Sequence, residues 1–452
     1  MSRFRFEGLR SPSIEGYASQ TSVYPGDSID LMVSTDPACP FDIDMYRLGY
    51  YGGTGGRHML HLGTFDGEAQ EVPLESIERL RQCNWKPCLS FVVPDDWVSG
   101  IYLAKLTQAR DMRAQSYILF VVKERRKTEI IVQVSDLTWQ AYNKWPQSNS
   151  IYDDGLGLGQ GFSYEGPNVR VGFDRPYAKY GQIVDQPLSS GTGGYLLWEF
   201  PLCYWLEAEG YEVTYCSNLD LHHDPQLLEQ CSVFISVGHD EYWTRRMYDH
   251  ATAARDAGVS LLFFSGNAMY HEIAVYGNET TGAPFRSFSR YRRITDDMEL
   301  MGASSYGVGY GDWTVVNPDH WVFEQTGMKA GDCIPGLVGW EYHGAPFRKD
   351  DKLEVLAQSE LFHRGTPSAS VPPIIQKYRH NRVSDGRFSS VIYPGPRGNW
   401  VFNAGTIWWA QGLSSPPGHI PAKGNYGRVQ GPDARVQRIT RNLLKRCIRR
   451  SD

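Results

Sequence analysis

The pattern of apolar and polar positions changes period once along this chain, near residue 125. Upstream, apolar residues alternate with polar ones. They do so at Ile29, Leu31 and Val33 of "SVYPGDSIDLMVST", and again through "FDIDMYRLGYYGGTGGRHM". "LSFVVPDDWVSGIYLAKLTQ" and "AQSYILFVVKE" read as further strands separated by turn residues. Period two sends successive side chains to opposite faces, so short strands at this spacing predict a β-sandwich over residues 1–125. The cluster "GGTGG" sits between strands with no helix behind it, which predicts a β-turn and not a phosphate loop.

Beyond the charged linker "KERRK" the pattern predicts a second domain over 126–452. "EIIVQVSD", "EVTYC", "SVFISVG" and "VSLLFFSGN" are strands, "EIIVQVSD" reading as a continuous apolar run. Between them, "YLLWEFPLCYWLEAEGY" (195–211) and "TRRMYDHATAARDAG" (244–258) carry helical stripes that end in glycine, with a short helix at "PQLLEQ". Apolar strands alternating with helices predict a parallel sheet covered on both faces. "SSVIYP" and "WVFNAG" are candidate later strands. The segment from 143 to 190 shows no period, as an insertion or a functional loop would. Its "GLGLGQG" (155–161) follows no strand and makes only a weak dinucleotide-loop match.

In such sheets ligands bind at the carboxyl ends of the strands. The segments following the strands are "SDLTWQAYNKW", "GHDEYW", "SGNAMYHE" and "NAGTIWW", which would gather Tyr142, Asn143, His239, Asp240, Glu241, Asn267 and Asn403 on one edge. Each has a plainer explanation: Asp240 or Glu241 would suit the first turn of a helix starting near Thr244, His239 could pack on aromatics, and Tyr142 and Trp139 could be core. His271-Glu272 does not make a zinc-protease HExxH, no GxSxG elbow occurs, and no cysteine ends a strand before a helix. The remaining carboxylate, imidazole and phenol suit proton transfer or a metal.

Composition narrows the classes. Hydrophobic content of 41% with 21% charged residues is that of a soluble globular protein. A net charge of -6 over 452 residues gives no reason to expect nucleic acid or an anionic membrane as partner. The start lacks an apolar signal core and no run approaches a membrane span, so a cytoplasmic protein is expected. The 8 cysteines are scattered without a CxxC pair, so no disulfide framework or zinc knuckle is expected. Aromatic content is high, at 13% with 27 Tyr and 13 Trp.

The phrases "YRLGYYGGTGGR", "DDWVSGIYLAKLT", "TWQAYNKW", "FDRPY", "VGHDEYWT", "FSGNAMY" and "PDHWVFEQTGMKAGDCIPGLVGWEYHG" resemble the large subunit of N,N-dimethylformamidase and its relatives, over nearly the whole chain. The resemblance implies a flavodoxin-like, class I glutamine-amidotransferase-like α/β/α domain without its cysteine. It implies a mononuclear, ferric iron held by two tyrosines and a glutamate, a set of hard anionic oxygens that suits ferric iron better than zinc. Carried over, Glu241 is the carboxylate ligand and His239 the histidine two residues before it. Tyr142 and Tyr177 are the assigned phenols, with Tyr152 in reserve. The implied activity is hydrolysis of small N-substituted amides, His239 moving the proton and Asn267 or Asn143 bonding the oxyanion. A small subunit or a second copy of the chain is the implied partner. The competing expectation is a non-catalytic protein that binds sugars on its aromatic rings.

Overall fold

The computed structural model describes residues 10–153, 169–179, 191–339, 341–347, 351–361, 386–420 and 431–448. The weak "GLGLGQG" match therefore lies outside the described residues. Eight strands come first: β1 (Glu15–Ala18), β2 (Ser22–Val23), β3 (Ser28–Ser34), β4 (Phe41–Leu48), β5 (Gly56–Phe65), β6 (Pro87–Val92), β7 (Gly100–Gln108) and β8 (Gln115–Val122). They form a sheet β1-β3-β6 and a sheet β2-β8-β7-β4-β5. Alternation decides which residues face inward: along β4, Phe41, Ile43 and Met45 are buried while their neighbours are half-exposed. They meet Ile29, Leu31 and Val33 of β3 and Tyr102, Ala104, Ile118 and Phe120 of β7 and β8 in one apolar core. "GGTGG" is the connection of the antiparallel pair β4–β5, its first residues in a single 3₁₀ turn.

The rest of the chain is mixed α/β. Its elements are β9 (Thr128–Val134), α1 (Asp136–Tyr142), β10 (Arg170–Gly172), α2 (Tyr195–Trp198), α3 (Phe200–Ala208), β11 (Val213–Ser217), α4 (Asn218–His223), β12 (Cys231–Gly238), β13 (Tyr242–Trp243), α5 (Arg245–Ala257) and β14 (Ser260–Ser265). Then follow β15 (His271–Tyr276), β16 (Ser287–Arg293), α6 (Asp297–Met301), β17 (Ala303–Val308), β18 (Gly311–Thr314), β19 (Cys333–Val338), β20 (Glu341–Pro346), β21 (Glu354–Glu360), β22 (Arg387–Pro394), β23 (Trp400–Asn403) and α7 (Ala434–Cys447). The helix expected over 195–211 is two helices, broken at Glu199, with Pro201 in the first turn of α3 where its missing N–H costs nothing. "PQLLEQ" yields only a 3₁₀ turn at Leu227–Gln230.

The central sheet runs β11-β9-β12-β14-β23-β22-β21. Its first five strands are parallel, and β22 and β21 complete it antiparallel. Both faces are covered. Ile130, Val132, Val233, Ile235 and Leu262 join one apolar cluster with α2, α3 and the outward residues Ile101, Leu103, Leu119 and Val121 of β7 and β8. Ile131, Phe234, Leu261 and Phe263 join another with α1, α4 and α5. Two-sided burial is why these strands, and β7 too, read as continuous apolar runs. In chain order the parallel strands lie 2-1-3-4-5, so the connections leaving β9 and β12 diverge and open a crevice between their carboxyl ends. A smaller sheet, β10-β16-β15-β13, walls that crevice. Among the described residues no helix is long and apolar enough to cross a membrane.

Candidate functional site

Strand β12 ends at Gly238, whose φ of 70° lies in the left-handed region and whose missing side chain leaves room for Trp198 Cβ, only 2.6 Å from where a Cβ would stand. That turn sends His239, Asp240 and Glu241 across the strand ends. Tyr242 and Trp243 then pair with β15 as β13. Neither acid caps α5. Thr244 does so itself, its side chain accepting from the Met247 N–H. Asp240 turns inward, accepting from Gln133 Nε2 at 2.7 Å, Ser236 Oγ at 2.9 Å and Asn218 Nδ2 at 3.0 Å, and so ties β9, β12 and α4 together.

Glu241 is the centre of the site. Tyr142, the last residue of α1, donates to Glu241 Oε2 at 2.7 Å. The Tyr152 hydroxyl is 3.1 Å from that of Tyr142 and 3.4 Å from both Glu241 oxygens, and it also contacts the Tyr242 hydroxyl closely. Asn267 Nδ2 donates to Glu241 Oε1 at 3.3 Å, and His271 Nε2 lies 3.6 Å from the same oxygen. Asn267 reaches it from a left-handed backbone (φ 53°) just after β14. His239 Nε2 stands 3.3 Å from Glu241 Oε2 and in very close contact with Glu341 Oε2. His239, Glu241 and Glu341 each offer a ligand atom, all within 4.8 Å of one another and all buried.

The electrostatics follow from this burial. Desolvation pushes the Glu241 carboxyl up to about 7, with His239 pulling the other way and Glu341 adding to the rise. Burial would depress His239, but the carboxylates of Glu341 and then Glu241 outweigh it and raise its pKa. Burial, then Glu241, holds the Tyr142 and Tyr152 phenols well above their usual range. Without a cation these phenols remain donors to the carboxylate. A highly charged cation would reverse that balance and make them ligands, and an all-oxygen set of two phenols and a carboxylate fits a hard trivalent ion.

Two of the assigned residues lie elsewhere. Tyr177 packs edge-on to Trp139 at 6.2 Å, bonds to Gln140 and, with Asp136 and Trp139, lines a small cavity of about 20 Å³ against the N-terminal sheets. The reserve residue Tyr152 takes its place beside Tyr142. Asn143 spends its whole amide on structure: Nδ2 donates to Gln140 Oε1 and the Pro176 carbonyl, and Oδ1 accepts from the Trp145 and Ala178 N–H groups. Asn403, at the end of β23, accepts from His343 Nδ1 at 2.6 Å. His343 Nε2 accepts from the Ala268 N–H at 3.0 Å, so this buried ring is neutral, its pKa lowered by desolvation to about 4. It fixes the loop that carries Asn267.

Glu341 and Arg290 were not among the residues singled out, while Tyr242 and His271 lay within the segments "GHDEYW" and "SGNAMYHE" but were not assigned to the site. Glu341 and Arg290 come from β20 and β16, which do not directly follow strands of the central sheet, so comparing strand ends could not find them. The one available signal was the phrase ending "GWEYHG", which contains Glu341 and His343. Close backbone approach makes the juxtaposition possible: a Cβ on Gly266 would stand 2.4 Å from the Glu341 carbonyl.

A family model, N,N-dimethylformamidase beta subunit-like, C-terminal, matches residues 42–423. The chain belongs to that family. The match takes in α1, β12, β14 and β20, and so all the residues around Glu241 fall within the family region. No curated protein matches the chain. A solved structure, a Paenibacillus sp. cycloisomaltooligosaccharide glucanotransferase with cycloisomaltoheptaose, is 8% identical at a TM-score of 0.18, aligned over 76% of this chain and 59% of that one. Likeness at that level carries no argument.

Proposed function

We propose that this dimethylformamidase-like chain is an iron-dependent hydrolase of small N-substituted amides, with Tyr142, Tyr152 and Glu241 as the metal ligands. Membership of the family supports amide hydrolysis. The observation that carries the site is convergence: Tyr142, Tyr152, Asn267 and His239 all address the single buried carboxylate of Glu241. The strand order 2-1-3-4-5 and the apolar cover on both faces support a flavodoxin-like, amidotransferase-like part from residue 126. The eight strands before it support a β-sandwich.

Ferric iron bound there would supply Lewis acidity toward the amide carbonyl and toward water. The chain's own residues supply the rest. His239, set between two carboxylates, takes the proton of the attacking water and returns it to the leaving nitrogen as the C–N bond breaks. Glu341 holds that ring in place and balances its charge when it is protonated. Asn267 is the amide donor at the site and the candidate partner for the developing oxyanion. Elemental analysis with a visible spectrum is the first test: stoichiometric iron and a tyrosinate-to-iron charge-transfer band are expected. Glu241→Gln is expected to fold, to lose the iron and the band, and to hydrolyse no amide. Full iron occupancy in that variant would remove Glu241 from the ligand set.

A further inference from the structure

Arg290 lies in β16, well past the end of β14 at Ser265, and no strand-end or motif argument points to it. It is 6% exposed. Its guanidinium carbon sits 4.9 Å from the centroid of the Tyr152 ring, and its Nη2 donates to the Ile151 carbonyl at 3.1 Å. One side chain thus grips the backbone immediately before Tyr152 and covers the face of its ring. The same cation lies within electrostatic reach of the Tyr152 and Tyr242 hydroxyls and of the Glu241 carboxylate. Two glutamates and two phenolates would bring as many as four negative charges into one buried space. A fixed guanidinium is suited to offset them, because it is a planar cation that stacks on an aromatic face.

Resting on the ligand assignment above, we propose that Arg290 is a positioning residue for the metal centre: it presents Tyr152 to the metal and weakens that phenolate as an electron donor. The expectation is specific. Removing a cation from the face of a phenolate raises the energy of its electrons, so the phenolate-to-iron transition should move to longer wavelength. Losing a partner that orients a ligand should also weaken iron binding, by about 10- to 100-fold.

The test compares purified wild type, Arg290→Met and Arg290→Lys for visible spectrum, iron affinity by chelator competition, and thermal unfolding. Arg290→Met is expected to show a red-shifted band and weakened iron binding. Arg290→Lys, which keeps the charge, is expected to stay near the wild-type band and provides the reading should the methionine variant fail to fold. In a Tyr152→Phe background the methionine substitution should no longer move the band, because the phenolate it acts on is gone. A wild-type band and affinity in Arg290→Met, or an equal shift with and without Tyr152, would overturn the inference and leave the ligand assignment standing. Wild-type protein with neither iron nor band would overturn both.

Discussion

At the scale of single residues, the proposed metal site depends on which oxygen atoms reach Glu241, and sequence proximity misleads. Tyr142 and Tyr177 both follow motif-like phrases, yet Tyr177 bonds Gln140 beside Trp139, while Tyr152 stands 3.1 Å from the Tyr142 hydroxyl. The consequence can be measured. Tyr152→Phe should shift or weaken the charge-transfer band and lower turnover, whereas Tyr177→Phe should leave the spectrum unchanged and cost only the hydrogen bond to Gln140. The opposite pattern would return Tyr177 to the ligand set. His239 and Glu241 were legible because they directly follow the apolar strand β12. Glu341 was not, since only folding brings β20 against the loop after β14.

At the scale of elements, the critical piece is α1, which carries Tyr142. It is held from beneath by Glu199, which breaks α2 from α3 and accepts from Trp139 Nε1 at 2.8 Å and from the Ser135 N–H at 3.3 Å. Glu199 is fully buried, and desolvation raises its carboxyl to about 8, as it does that of Asp136. The native state therefore keeps the Glu199 proton up to about pH 8, while the unfolded chain releases it near 4.5. This contribution to stability is complete below pH 4.5 and is lost as pH rises through 8. Glu199→Gln keeps the acceptor oxygen and has no proton to lose. Its melting temperature relative to wild type should thus climb between pH 6 and 9. A difference that stays flat with pH would mean that Glu199 is ionised in the fold. The break at Glu199 was hidden in the sequence because the apolar stripe continues across it; Pro201 was the only local sign.

At the scale of the whole molecule, the N-terminal sheets and the α/β part share one apolar cluster, and a buried ion pair crosses the seam. Arg47 of β4 bonds Glu207 of α3 at 2.8 Å, with the side chains only 8% and 18% exposed, and also donates to the Ser99 carbonyl. Glu207 further accepts from the Tyr50 N–H at 3.0 Å and the Tyr215 hydroxyl at 3.1 Å. Arg47→Met would leave that carboxylate buried without its cation, so a loss of about 3 kcal/mol in chemical denaturation is expected. A loss under about 1 kcal/mol would mean that the apolar contacts alone hold the seam. Arg47 belongs to the phrase "YRLGYYGG", which thus records an anchoring point between the two parts of the chain.

By itself the sequence determined the strands of the N-terminal part, the parallel strands of the central sheet and the edge at which chemistry gathers. Burial on one face or two writes itself into the period of apolar residues, and turns need particular residue types, so strands and helices are local matters. It also marked Glu241, His239 and Asn267, because strand ends in a parallel sheet are predictable from order alone. Which phenol stands beside Tyr142, which carboxylate faces His239, and which cation covers Tyr152 were decided only by the tertiary structure. Tyr152 reaches Glu241, Glu341 reaches His239 and Arg290 reaches Tyr152 across 89, 102 and 138 residues of chain. They meet because β13, β15, β16 and β20 close the crevice from outside the central sheet, and no periodicity within any one segment encodes a contact between elements that far apart.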